Sequence, residues 1–120
     1  MTQSNIIQIQ NISKIYKQGG DILKALDEVS LDILGGEFVS ILGASGSGKS
    51  TLMNIIGGLD RPSCGHVMVE GKDLARLGDT DMSRYRNKTV GFVFQSFNLD
   101  GSLTALENVM LPLVYAGLRR

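Results

Sequence analysis

An α/β fold follows from three features of this 120-residue sequence. A glycine-rich loop, Gly43-Ala44-Ser45-Gly46-Ser47-Gly48-Lys49-Ser50-Thr51, stands between an apolar run and a helical pattern. Upstream, residues 6–12 and 29–33 alternate apolar with polar side chains, the period of a strand with one buried face. Two short apolar runs, 38–42 and 90–94, read as further strands, the first of them buried. Residues 6–33 and 67–70 are expected to form an antiparallel β portion beside the unit that carries the loop.

The elements follow in order. After the strand at 6–12, Tyr16-Lys17-Gln18-Gly19-Gly20-Asp21 reads as a turn or loop. Val29, Leu31 and Ile33 alternate with Ser30 and Asp32 until Gly35-Gly36 breaks the strand. Phe38-Val39-Ser40-Ile41-Leu42 leads into the glycine loop, and the helix that begins there ends at Gly57-Gly58, as glycine near a helix C-terminus implies. Asp60-Arg61-Pro62-Ser63-Cys64-Gly65 is a turn, and Val67-Met68-Val69 a short strand closed by Gly71. Thr80 to Asn87 is a polar helix, Val90-Gly91-Phe92-Val93-Phe94 a strand, and Gln95 to Gly101 a loop. Thr104-Ala105-Leu106-Glu107 is a capping box that starts a last helix, which Pro112 is expected to kink or end. There is no internal repeat and no low-complexity stretch.

Composition excludes several classes. Lys+Arg and Asp+Glu both number 12, so no net field argues for nucleic acid or a bulk membrane surface as partner. Hydrophobic content of 42% and charged content of 20% are ordinary for one small globular domain. No apolar run is long enough to span a bilayer. Met1-Thr2-Gln3-Ser4-Asn5 lacks the basic region and apolar core of a signal peptide, which fits a cytoplasmic protein. Cys64 is alone, so no intrachain disulfide forms, and it reads as a semi-buried residue after a turn. His66 reads as a solvent-facing strand residue without metal-ligand spacing around it.

The loop itself carries the chemistry. Residues 43–50 fit G-x-x-x-x-G-K-[ST], the phosphate-binding P-loop. Glycines let the backbone turn tightly and approach an anion without a Cβ in the way. The following helix contributes free N–H groups and the positive end of its dipole. Lys49 would reach the β- and γ-phosphates, and the Ser50 hydroxyl would be an oxygen ligand for Mg²⁺, which prefers oxygen.

Three further tests discriminate among P-loop proteins. The N-K-x-D of a GTPase is missing, because Asn87-Lys88-Thr89-Val90 lacks the Asp. A D-x-x-G occurs only upstream of the loop, at Asp32-Ile33-Leu34-Gly35. No arginine-rich lid of a kinase is evident, since Arg84, Arg86, Arg119 and Arg120 are dispersed. From about Ile6 to Leu118 the chain instead resembles the first half of an ABC transporter ATPase, of the lipoprotein-release and macrolide-exporter group. Three blocks carry the resemblance: residues 36–62, from Gly36-Glu37-Phe38 through the P-loop to Asp60-Arg61-Pro62; Val90-Gly91-Phe92-Val93-Phe94-Gln95-Ser96-Phe97-Asn98-Leu99; and Leu103-Thr104-Ala105-Leu106-Glu107-Asn108-Val109.

The resemblance implies the P-loop NTPase fold and assigns roles. Tyr16 aligns with the aromatic that stacks on adenine. Gln95 aligns with the glutamine that touches Mg²⁺ or the attacking water, so Lys49 and Gln95 would act in catalysis and Ser50 and Gln95 would hold the metal. Residues 43–51 would bind ATP. Asp100-Gly101 departs from the apolar or proline-containing pair common in the family, at the start of the helical part that meets the membrane partner. Residues 1–120 would be the N-terminal part of a single ATP-binding domain. The implied partners are a transmembrane permease subunit and a second ATP-binding subunit, with no nucleic acid. The implied location is the inner face of the cell membrane, reached through the permease.

Family members are longer, and their second half holds the LSGGQ signature, the Walker B Asp with the catalytic Glu, and the switch His. None of these occurs in residues 1–120; Val67-Met68-Val69-Glu70 imitates Walker B only loosely. The expectation is therefore a part of a longer transport ATPase whose residues 1–120 alone hydrolyse ATP negligibly. The alternative is a truncated, non-hydrolysing nucleotide-binding or regulatory module.

Overall fold

A computed structural model describes residues 4–117. Met1-Thr2-Gln3 and Leu118-Arg119-Arg120, on which part of the signal-peptide and lid readings fell, lie outside the described residues.

Strand β1 (Asn5–Gln18) and strand β2 (Asp21–Leu34) form a long antiparallel hairpin. The turn is two glycines, Gly19 and Gly20, both at positive φ. That backbone matches the right-handed twist of the flanking strands. Tyr16, expected in a loop, is thus still in β1, and both strands run well past their alternating segments. Strand β3 (Cys64–Val69) pairs with the other edge of β1, and the two-residue β4 (Lys72–Asp73) pairs with β3, giving the antiparallel order β2-β1-β3-β4.

Of four register shifts in the hairpin, the two central ones are bulges that offset each other. Between Ile9↔Leu31 and Ile12↔Val29, β1 advances by one residue more than β2; between Ile12↔Val29 and Lys14↔Leu26, β2 regains it. Asn11 and Glu28 sit at positive φ in these bulges. Hydroxyls take up the displaced donors: Asn11 N–H donates to Ser30 Oγ at 2.9 Å and Glu28 N–H to Ser13 Oγ at 3.0 Å. The extra residue also shifts the strand period, so Ile9 and Ile12, three apart, are both buried.

Helix α1 (Lys49–Ile56) covers the sheet with Leu52 and Ile55, and helix α2 (Asp79–Lys88) adds Met82 and Tyr85, an i,i+3 pair. With Ile9, Ile12, Leu26, Val67, Val69 and Leu74 they form the core. α2 also caps α1: Tyr85 Oη donates to Ile56 O at 2.6 Å, and an Arg86 guanidinium nitrogen donates to Gly58 O at 2.8 Å. The first bond satisfies a carbonyl that the end of α1 leaves without a partner, and the second holds the turn after it.

Helix α3 (Ala105–Tyr115) opens on the expected capping box, with reciprocal bonds of 3.1 Å between Thr104 and Glu107. Pro112 does not end it; the helix continues to Tyr115. The Pro112 carbonyl accepts from Ala116 N–H at 3.0 Å and from Asn87 Nδ2 at 2.8 Å, which holds this turn in place. None of its side chains is buried.

The expected strands at 38–42 and 90–94 are corrected: among the described residues neither pairs with a strand. Phe38 is 95% exposed, Leu42 91% and Val93 fully so. A strand exists by virtue of a hydrogen-bonded neighbour, and the antiparallel sheet offers these segments none. The Cα radius of gyration, 16.3 Å, is correspondingly larger than the roughly 14 Å of a close-packed chain this long. Cys64 is exposed rather than semi-buried. His66 faces solvent as expected, its Nδ1 2.9 Å from an Asp73 carboxylate oxygen.

Candidate functional site

The glycine loop joins the extended segment at 38–42 to α1. Gly48 is the N-cap of α1 at φ 95°, and no side chain caps the helix. No acidic residue stands in its first turn, so its free N–H groups and dipole face no competing negative charge. A Cβ at Gly48 would lie 2.5 Å from the Ala25 carbonyl oxygen of β2, so only glycine lets the loop lie against the hairpin. Within the loop, Ser47 N–H donates to Ala44 O at 3.1 Å. The Lys49 ammonium donates to Gly43 O and, at 3.4 Å, to Ala44 O. The loop is therefore wrapped around its own lysine. Residues 43–47 and Ser50 are exposed, while Gly48, Lys49 and Thr51 are half-buried.

Tyr16 lies near the far end of β1. Its hydroxyl donates to Asp60 Oδ2 at 3.0 Å, and Lys14 Nζ lies 5.3 Å from its ring centroid. Lys14 in turn donates to Asp60 Oδ1 at 3.0 Å and to Arg61 O at 2.7 Å. Burial opposes ionisation of Asp60, but hydrogen bonds from Lys14, the Arg61 N–H and Tyr16 outweigh it and hold the carboxyl below its ordinary range. Gln95 is exposed, in the turn that follows the extended 90–94 segment. The described contacts join Gly43, Ala44, Ser47 and Lys49 into one group and Lys14, Tyr16 and Asp60 into another. They tie Gln95 to neither.

Sequence reading missed Lys14 and Asp60. Their signal, an Asp just after the P-loop helix and a Lys two residues before the aromatic, has no meaning until the fold brings them together. A concavity also lies elsewhere. A groove of about 1230 Å³ runs between α2, residues 88–94 and α3, lined by Arg84, Asn87, Phe92, Phe94, Leu111 and Tyr115 among others. Arg84, Arg86 and Lys88 line it together with apolar side chains, and no residue of the 43–51 loop does. The anion chemistry that the motif implies would fall to the open backbone of the loop, where N–H groups rather than a cavity would make the contacts.

Among the described residues no three His, Cys, Asp or Glu side chains come together to hold a metal. Ser50, exposed in the first turn of α1, carries a hydroxyl oxygen that could serve Mg²⁺ as one ligand, with phosphate and water oxygens supplying the others. That is the coordination Mg²⁺ favours.

The model of the ABC transporter family matches residues 26–119. The chain belongs to the ABC transporter family. It is 50% identical over 112 residues to an uncharacterized ABC transporter ATP-binding protein of Thermotoga maritima, covering 93% of the chain and 48% of that protein. It is 49% identical over 114 residues to a macrolide export ATP-binding/permease protein, MacB, of Chlorobaculum tepidum, covering 95% of the chain and 18% of that protein. The cassette MJ0796 of Methanocaldococcus jannaschii, solved as a dimer in a post-hydrolysis state bound to ADP and Pi, superposes with a TM-score of 0.87 at 50% identity. That superposition covers 91% of the chain and 47% of the cassette. The chain thus spans about half the length of the ATP-binding relatives it matches. It is a MacB- and MJ0796-like ATP-binding domain sequence with an antiparallel sheet near its N-terminus. Among the described residues no helix is long and apolar enough to cross a membrane.

Proposed function

We propose that this chain binds Mg-ATP as the N-terminal part of a single ABC-type ATP-binding domain, and that the intact protein hydrolyses ATP to power export or lipoprotein release. The observation that carries the reading is the loop: a left-handed Gly48, an uncapped helix N-terminus and a lysine enclosed by the loop backbone, all on the P-loop motif. In this reading residues 43–51 cradle the phosphates with backbone N–H groups. Lys49 exchanges the Gly43 and Ala44 carbonyls for the β- and γ-phosphate oxygens. Ser50 supplies a hydroxyl oxygen to Mg²⁺, and Gln95 supplies an amide oxygen to the metal or the attacking water. The metal, when bound, neutralises charge on the phosphates. Tyr16 offers a ring face to adenine; such stacking needs only a π surface and gives affinity with little base selectivity.

Turnover also needs a positioned base for water. The intact protein is proposed to supply it from the half that the relatives have and residues 1–120 do not represent, so residues 1–120 alone bind without appreciable hydrolysis. The proposed partners are a second ATP-binding subunit, as in the MJ0796 dimer, and a transmembrane permease, as in the fused relatives named ATP-binding/permease. Their arrangement would place the protein on the inner face of the membrane.

Titration calorimetry of Lys49→Ala with Mg-ATP tests the core of the reading. Loss of charge-assisted bonds of about 1.5–3 kcal/mol predicts roughly 10- to 100-fold weaker binding. Unchanged affinity would overturn the phosphate-site assignment.

A further inference from the structure

We infer that Asp60 and Lys14 are positioning residues for the nucleotide base: together they lock the Tyr16 ring into a preformed, one-sided stacking platform. The inference rests on the reading of Tyr16 as the adenine contact and goes beyond it.

The geometry is specific. Tyr16 and Lys14 are on β1, while Asp60 is on the turn that follows α1, the helix whose N-terminus is the phosphate loop. The two Asp60 oxygens are divided between them: Oδ1 accepts from Lys14 Nζ at 3.0 Å and Oδ2 from Tyr16 Oη at 3.0 Å. Lys14 is also fixed by the Arg61 carbonyl at 2.7 Å, so its ammonium does not wander. From there it stands 5.3 Å from the centre of the Tyr16 ring and covers one of its faces by a cation–π contact. One ring face is thereby taken, and the other is the one the inference assigns to the base.

The clamp is also stitched to the backbone. Ile15 N–H donates to Ser63 Oγ at 2.9 Å, and Ser63 N–H to Ser13 O at 2.8 Å. The end of β1 and the 60–63 turn therefore move as one piece, and α1 links that piece to the phosphate loop. A tyrosine that is 38% exposed would otherwise sample several rotamers and lose that freedom on stacking. Asp60 and Lys14 bear the loss beforehand, which is how preorganisation raises affinity without a new ligand contact. Because neither side chain touches phosphate in this scheme, their effect is confined to ligands that carry a base.

The test compares two ligands, Mg-ATP and Mg-bound inorganic triphosphate, across Asp60→Ala, Tyr16→Phe and Tyr16→Ala, with affinity read by calorimetry and folding by circular dichroism. Asp60→Ala is expected to weaken ATP about 3- to 10-fold and leave triphosphate unchanged. Tyr16→Phe keeps the ring, loses one bond and is expected to weaken ATP about 2- to 4-fold, again without effect on triphosphate. Tyr16→Ala should weaken ATP most, by roughly 5- to 100-fold. Equal weakening of both ligands by Asp60→Ala would reduce the clamp to a prop of the fold and overturn the inference. So would an unchanged ATP affinity in Asp60→Ala and Tyr16→Phe while Tyr16→Ala is impaired, an outcome that leaves the adenine contact standing. No effect of Tyr16→Ala would remove the adenine contact itself. Where Asp60→Ala does not fold, Tyr16→Phe carries the same two-ligand comparison.

Discussion

Replacing Gly48 by alanine isolates the contact that seats the phosphate loop on the hairpin. Gly48 and Gly46 are both loop glycines at positive φ, 95° and 81°. An added Cβ at Gly46 meets nothing within 4 Å. At Gly48 it would lie 2.5 Å from Ala25 O and 3.1 Å from Leu26 Cδ2. Leu26 is a core residue, and Ala25, itself skipped in the register, is held in β2 between the paired Lys24 and Leu26, so neither can retreat freely. A left-handed alanine costs about 1–2 kcal/mol in either place. The restricted unfolded chain returns about 0.4–1 kcal/mol, again in either place. Both contributions cancel in the difference between the two variants, which leaves the steric clash, an overpacking cost of about 1–3 kcal/mol.

Urea unfolding followed by circular dichroism reads this difference, with tyrosine fluorescence as the second probe because the chain has 3 Tyr and no Trp. Gly46→Ala is expected within about 1.5 kcal/mol of the parent, and Gly48→Ala a further 1–3 kcal/mol below it, on the two estimates just combined. Mg-ATP affinity should fall with Gly48→Ala, because the first turn of α1 can relieve the clash only by re-aiming its N–H groups. Two variants of equal stability, within about 0.5 kcal/mol, would refute the claim that the Ala25 carbonyl dictates glycine here.

Two other outcomes follow from burial. Burial, with a smaller push from Glu70, raises the Tyr85 hydroxyl from 10.0 to about 12. The folded state therefore holds this proton longer than the unfolded chain. The associated stability, about 2–3 kcal/mol, is fully present below pH 10 and is lost as pH rises toward 12. Subtracting the pH–stability curve of Tyr85→Phe from that of the parent should expose the alkaline limb, and a flat difference between pH 9 and 12 would contradict it. Val93→Ser, at a fully exposed position, should change the unfolding free energy by less than about 0.5 kcal/mol in urea denaturation. A loss above 2 kcal/mol would mean that Val93 is packed.

The elements legible in the sequence were those whose signal is local. The capping box at Thr104 and Glu107 names its own helix start, because both partners lie within one turn. The alternation at 6–12 and 29–33 marks the part of the hairpin with one buried face. It fades at 15–18 and 21–24, where Ile22 and Leu23 are both well exposed and pairing alone defines the strand. The P-loop was legible as a motif, since its conformation comes from its own glycines and the helix after it. The Lys14–Asp60–Tyr16 clamp was not, because its bonds span 44 and 46 residues of sequence and need the 60–63 turn laid along β1. The seat of Gly48 against Ala25 O was hidden for the same reason.

The segments at 38–42 and 90–94 are the most instructive departure, because their residues argue for burial and no strand among the described residues pairs with them. Apolar side chains at consecutive positions are suited to a strand covered on both faces, the setting of a parallel sheet between helices. Burying one such side chain is worth about 1.5–3 kcal/mol, so Phe38, Leu42 and Val93 each present apolar surface that a covering partner would stabilise. They stand outside the antiparallel sheet, whose outer strands are β2 and the two-residue β4. Phe92 and Phe94 answer the same need between themselves: their rings stack at 5.3 Å and 9°, on the wall of the groove that α3 leaves open. Runs of this kind state what a segment requires of its neighbours, and hydrogen-bonded partners decide whether it becomes a strand. The phosphate loop between 38–42 and α1 escapes that dependence because Gly48, Lys49 and the α1 N-terminus hold its shape from within.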